Sequence, residues 1–480
     1  MGAISENIKL NCQNEKELSK KRLILFLHIF VTSFFICLSI FLTFVFKPIS
    51  PHSYGYLWSI NGWDFYPCLG RYVYFKGGVL VFFFLPLKLL GFNSAFSAVL
   101  INSFFWIIFS YSLWFGKKYF LGSRIQLVST LLLLLFGPTW AMFSPIINTD
   151  LPHIACLIFG LRFLFFFIRW GGNKYFFLSL MVLGFASSIK ESFWLPGTIF
   201  VFFLIFIIFI FYRDKKTNLH KVAFLIIGSV LLGFFIDKTL RKVSAVDVKS
   251  IGQKGSSSEK WIRMMLHSGL FNTRIGSKIG RTSQEASRAY HAERDVPMIE
   301  FVFSNVRKIG IVKLLKIILY KMVAFVSYDQ VASLIYTKTA AVLNDKYGSL
   351  APPKRKNRLD WKILKKLEFI ESIFFTILKF FLFFLILTGL FRFKKRPISI
   401  KFIPSGIFAF CALFSHLIFH AIVQIQPRYF IPPLIISLYI SLYIKNKDLN
   451  IDINKIDINK KVKYWFFILP FVPMLAVLFF

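Results

Sequence analysis

Long apolar runs separated by short, mostly basic turns dominate the chain. The first, residues 23–46, is too long for the apolar core of a signal peptide, and no small-residue cleavage site follows it. It therefore reads as a retained span. Similar runs recur at residues 95–115, 125–142, 151–168, 175–189, 194–212 and 222–236, and again at 369–391, 403–423, 430–444 and 465–480. A helix crosses hydrocarbon with about 17–25 mostly apolar residues. The pattern thus predicts an all-α polytopic membrane protein with about 11 transmembrane helices.

Two stretches break the pattern. Residues 78–91 are apolar but interrupted by Pro86 and Lys88. They are too short to cross comfortably and read as a helix lying in the interface, within a first outer loop at 47–93. Residues 237–368 form one long polar region. Its most apolar piece, 309–326, is broken by Lys313, Lys316 and Lys321, which suits an amphipathic surface helix better than a span. The expected organisation is a cytoplasmic tail at 1–22, an N-terminal transmembrane module at 23–236, a large outer loop at 237–368 and C-terminal transmembrane helices at 369–480.

Composition sharpens this reading. The chain has 480 residues, 56% hydrophobic, with 63 Phe, and a mean hydropathy of +0.64. That exceeds what a soluble core of this length needs. The net charge of +37 would suggest nucleic acid on a soluble protein. Here Lys and Arg crowd the short turns, so the positive-inside rule accounts for them and no nucleic-acid partner is expected. The cysteines are Cys12, Cys37, Cys68, Cys156 and Cys411; Cys37, Cys156 and Cys411 fall inside apolar runs. Neither a disulfide framework nor a metal spacing follows from them.

Charge then fixes sidedness. With Lys16, Lys20, Lys21 and Arg22 inside, every short basic turn, such as Lys117-Lys118 and the run from Arg392 to Arg396, lands on the same side. Asp64, Asp150, Lys190, Glu191 and Arg428 land on the other. Between residues 47 and 240 the acids are Asp64, Asp150, Glu191, Asp214 and Asp237. An acid near a span is costly, by about 2.5–3.5 kcal/mol at mid-bilayer on insertion scales, so the outer ones are candidates for use.

Each candidate has a functional and a bland reading. Asp64, in Gly62-Trp63-Asp64-Phe65-Tyr66, suits a general base accepting a proton from an alcohol, or a loop whose aromatics prefer the headgroup level. Arg71 shares that loop as a supporting cation. Asp150 follows Asn148-Thr149 and opens a span: a helix cap, or an acid held rigidly by a helix start. Lys190-Glu191 is a snorkelling pair or a phosphate-binding cation with its acid. Arg428-Tyr429, between Pro427 and Pro432, is an anchor or a bidentate phosphate contact. His416 and His420 share a helix face, as half a metal site or as interhelical hydrogen-bonding groups. No phosphate-binding glycine loop, nucleophile elbow, zinc motif or nucleotide fingerprint occurs.

The order of these features resembles the GT-C class of membrane glycosyltransferases. That class includes protein O-mannosyltransferases, aminoarabinose transferases acting on lipid A, and serotype-converting O-antigen glucosyltransferases. The likeness rests on an outer-loop acid after the first span (Asp64), an interfacial helix ending in Leu90-Gly91, and an outer Asp opening a later span (Asp150). It continues with an outer Lys after a Gly-containing span (Gly184, then Lys190) and a late Arg428-Tyr429 followed by Pro432. It covers residues 23–215 and 402–444. The family often has a second acid beside the first-loop Asp, whereas this loop has Asp64 alone, and Pro86-Leu87 lies deeper than the family's pair.

The resemblance implies transfer of a sugar, a hexose such as glucose, from a polyprenyl-phosphate carrier to a hydroxyl of an O-antigen, lipopolysaccharide or other surface polysaccharide acceptor. It implies a bacterial inner membrane location with the site on the periplasmic face. Asp64 would be the base and Asp150 a supporting acid, or the two would hold a divalent cation. Lys190, Arg428 and Tyr429 would bind the donor phosphate. A polysaccharide polymerase or ligase, and a lipid-linked glycan flippase, are the alternatives. One-sided charges and the lack of an internal repeat argue against the last.

Overall fold

The computed structural model describes residues 2–46, 94–114, 123–145, 149–170, 172–189, 296–327 and 358–392, with scattered positions within 83–92 and 221–239, at 266 and 271, and within 417–438. These residues are helices and the turns that join them. In chain order the helices are α1 (Gly2–Phe46), α2 (Ser94–Leu113), α3 (Ser123–Phe143), α4 (Asp150–Trp170) and α5 (Asn173–Ile189). Then come α6 (Ile227–Ile236), α7 (Met298–Ile309), α8 (Ile311–Ser327) and α9 (Arg358–Arg392).

Among the described residues three stretches are long and apolar enough to cross a membrane: Leu18–Phe44 in α1, Phe96–Leu113 in α2 and Gln126–Phe143 in α3. Their outward faces carry large apolar side chains with nothing packed on them, including Phe26 at 68% exposed and Ile107 at 52%. A water-soluble bundle would not leave such a belt open. α5 and α6 are shorter apolar helices.

Two helices are longer than the apolar pattern suggests. α1 continues through the tail expected at 1–22, because Ala3, Leu10, Leu18 and the interspersed Glu and Lys are good helix formers with no proline before Pro48. α9 starts at Arg358, well before the apolar run at 369, because the stretch after Pro352-Pro353 is again rich in Leu and Lys. Hydropathy marks where a helix meets lipid, and the backbone ladder does not stop there.

α1 packs against α2 and α3, α2 against α4, α4 against α5, and α9 against α3. α4 is enclosed, with Leu151, Ile154, Ala155, Ile158 and Leu164 buried. Small residues let the helices approach. A Cβ on Gly137 of α3 would overlap the Phe35 ring of α1, and one on Gly160 of α4 would lie 2.6 Å from Leu183 of α5. One on Gly184 of α5 would lie 2.7 Å from Leu232 of α6. Close backbone approach through small residues is the usual means of helix association in lipid. An aromatic cluster of Trp106, Phe109, Phe136 and Trp140 fills the α2–α3 seam, with Trp106 and Trp140 centroids 4.9 Å apart.

Contacts near the helix ends define direction. His28, in the first half of the apolar stretch Leu18–Phe44 of α1, meets Ser110 late in α2 and Thr130 early in α3. Phe166 late in α4 meets Tyr175 early in α5. At the other end Phe44 of α1 meets Phe96 of α2, and His153 early in α4 meets Ala186 late in α5. The first five helices therefore alternate in direction, as a chain threading a bilayer must. One end carries Lys20, Lys21, Arg22 and Lys174; the other carries Asp150.

The stretch expected to lie in the interface is helical at positions 83, 86, 87 and 89. Phe92 N–H donates to Leu87 C=O (3.0 Å) around Gly91 at φ 79°, the glycine-terminated helix end that the Leu90-Gly91 pair suggests. Phe83 stacks edge-on against Phe105 of α2 and Phe185 of α5, anchoring this segment to the bundle.

Candidate functional site

The Asp150 end holds one of the two clusters of polar groups in the bundle. Asp150 occupies the first turn of α4 and is buried. Pro152 follows in the same turn, where its missing N–H leaves no intrahelical bond unmade. His153 N–H donates to Thr149 C=O (3.1 Å), closing the first turn. The positive end of the helix dipole interacts favourably with a carboxylate at that position. Asp150 is thus both the helix-start acid of the bland reading and a rigidly oriented group beneath the end of the bundle.

His153 lies one turn on from Asp150 and is also buried. Its Nδ1 donates to the Ala186 carbonyl of α5 at 2.8 Å; a carbonyl only accepts, so the tautomer with hydrogen on Nδ1 is selected. This bond ties the start of α4 to the last turn of α5, where Ser187 donates to Leu183 C=O and Ser188 to Phe185 C=O. α5 ends at Ile189, so Lys190 is the next residue along the chain. On the neighbouring side Asn102 of α2 donates through Nδ2 to Ser144 C=O (2.8 Å), while its backbone C=O accepts from Trp140 Nε1 (3.2 Å). Asn102 thereby holds the exit of α3 just before the turn that leads to Asp150.

The opposite end is held by cations and hydroxyls. His28 donates through Nε2 to Ser110 C=O (3.2 Å), and its Nδ1 lies 3.0 Å from Thr130 Oγ1. Thr32 joins through Ser110 Oγ (2.7 Å). Arg162 of α4 donates through Nη1 to the carbonyls of Tyr111 and Trp114 (2.9 Å to the latter), the last acceptors of α2, and lies 4.4 Å from the Tyr111 ring centroid. These groups lock the bundle rather than face a substrate.

Of the residues singled out from the sequence, Asp150 is the one within the described residues. Asp64, Arg71, Lys190, Glu191, His416, His420, Arg428 and Tyr429 lie outside them. Among the described residues no group of His, Cys, Asp and Glu is placed to hold a metal ion. The divalent cation implied for Asp64 and Asp150 depends on a residue outside that set. His28, Asn102, His153 and Arg162 were not foreseen. The rule that singled out the acids, that a polar group inside an apolar span needs a reason, applies equally to these bases and amides.

Comparison with known protein families, curated proteins and solved structures finds no match to this chain.

Proposed function

We propose that the chain is a GT-C-type membrane glycosyltransferase that moves a sugar from a polyprenyl-phosphate carrier to a glycan hydroxyl. The observation that carries this reading is Asp150: a buried carboxylate on a helix start, braced through α4 by the His153–Ala186 bond. It sits at the end of the bundle opposite Lys20, Lys21 and Arg22. The positive-inside rule favours that lysine end in the cytoplasm and Asp150 on the outer face, which suits the periplasmic side of a bacterial inner membrane.

Asp64 on the first outer loop takes the proton from the acceptor hydroxyl. Asp150 orients that hydroxyl, or holds a divalent cation together with Asp64. Lys190, which follows directly on the end of α5, and Arg428-Tyr429 stabilise the departing lipid phosphate, where negative charge grows in the transition state. The donor sugar's anomeric carbon bonds to the acceptor hydroxyl oxygen, whose proton goes to Asp64, while its bond to the phosphate oxygen breaks and the lipid phosphate leaves with the bonding pair. Outward-facing apolar helices supply lipid-lined walls suited to a polyprenyl tail.

The test uses full-length protein reconstituted with polyprenyl-phosphate-glucose and a polysaccharide acceptor. Asp64→Asn should lower transfer by about 100-fold or more, and Asp150→Asn should lower it less, with membrane insertion of both unchanged. Undiminished transfer by both variants would end this reading. Lengthened acceptor chains in place of single added sugars would favour a polymerase or ligase.

A further inference from the structure

α7 and α8 pack against each other, and the pair has two apolar faces. Gly310, at φ 85°, joins the helices and accepts the turn between them. One face is spent internally: Phe301, Val302 and Leu314 pack with Leu266 and Phe271, with Ile318 and Met322 alongside. At 100° per residue, Ile311, Val312, Leu315, Leu319 and Val323 fall together on another arc of α8. They are exposed, from 51% for Leu315 to 67% for Ile311. Lys316 borders that arc and Lys313 lies further round on the same side; both are exposed.

Over residues 296–327 the charges are Glu300 against Arg307, Lys308, Lys313, Lys316 and Lys321. A helix apolar on the face that its own fold leaves open must meet something other than water. Among the described residues three helices are fit to cross a bilayer, so a lipid surface is at hand, and the basic border complements anionic headgroups.

We infer that α8 lies in the plane of the membrane interface, with Val312, Leu315, Leu319 and Val323 among acyl chains and Lys313 and Lys316 on anionic phospholipid headgroups. The buried face of α8 and its partner α7 then hang from the leaflet. Interfacial helices bind with strength set by apolar area plus attraction to anionic lipid. This inference is independent of the glycosyltransferase reading, because its test reads contact with lipid and no activity.

The experiment places the photo-crosslinking residue benzoylphenylalanine singly at Leu315, Leu319 or Val323 of the full-length protein, in nanodiscs of neutral phosphatidylcholine or of phosphatidylcholine with phosphatidylglycerol. Phe104, outward on α2, is the positive control for lipid, and the exposed Ser304 is the polar control. Lipid adducts at the α8 positions comparable to Phe104, more abundant in anionic discs, are expected. With Lys313→Gln and Lys316→Gln together, the anionic excess should fall by about fivefold or more. Adducts to protein, from this chain or a second copy, would overturn the inference, as would yields no higher than at Ser304. An anionic excess unchanged by the lysine replacements would overturn the headgroup assignment.

Discussion

A guanidinium inside a helical bundle is costly unless its donors are used, and Arg162 uses them on the carbonyls that α2 leaves unsatisfied at its end. Arg162→Met should cost about 2–4 kcal/mol, because two part-buried carbonyls lose a charged donor. Thermal unfolding of the detergent-solubilised protein measures this, and Arg162→Lys should recover only part, since an ammonium lacks the planar fork.

Lys321 is the converse case. It is 7% exposed, and its Nζ is buried with no hydrogen-bond partner. Desolvation pushes its pKa down to about 8. In the unfolded chain it titrates near 10.4. Between these values the unfolded state holds more protons, so stability rises with pH across that window, and the penalty is complete below about pH 8. Unfolding of the α7–α8 unit, followed by proteolysis between pH 7 and pH 10, should slow as pH rises. Lys321→Met should raise stability at pH 7 and flatten that dependence.

At the scale of elements, glycine positions decide which helices touch. Gly137→Leu in α3 leaves no room for Phe35 and should part α1 from α3. A loss of several kcal/mol is expected from overpacking at a backbone contact, read as a lower unfolding temperature and faster trypsin cleavage. Gly91, whose open surroundings would admit a Cβ, matters instead for its positive φ. The centres of α2, α3, α4 and α5 were legible from apolar runs at 95–115, 125–142, 151–168 and 175–189, since lipid demands a minimum length. The ends of α1 and α9 were not. Helix continuation beyond the lipid rests on propensity and backbone bonding, to which a hydropathy pattern is blind. The α7–α8 pair was legible as amphipathic from its lysines, yet which apolar arc faces inward depended on Leu266 and Phe271, distant in sequence.

At the scale of the whole molecule, alternation of the first five helices predicts sidedness. Alkaline phosphatase fused after Phe143 should be active in the periplasm, and fused after Trp170 inactive. The opposite result would invert the orientation. The sequence by itself determined that the described part of the chain is helical and apolar enough to cross a membrane, because length and hydropathy answer to the bilayer alone. It determined which turns are basic, and that acids such as Asp150 stand apart from them. Only tertiary structure decided what the interior polar groups do. His153 on Ala186, Asn102 on Ser144 and Arg162 on the end of α2 are pairings between residues 33 to 51 positions apart. No local period encodes such pairings; they arise when helices that lipid has already formed find, across their seams, the partners that a dry interior requires.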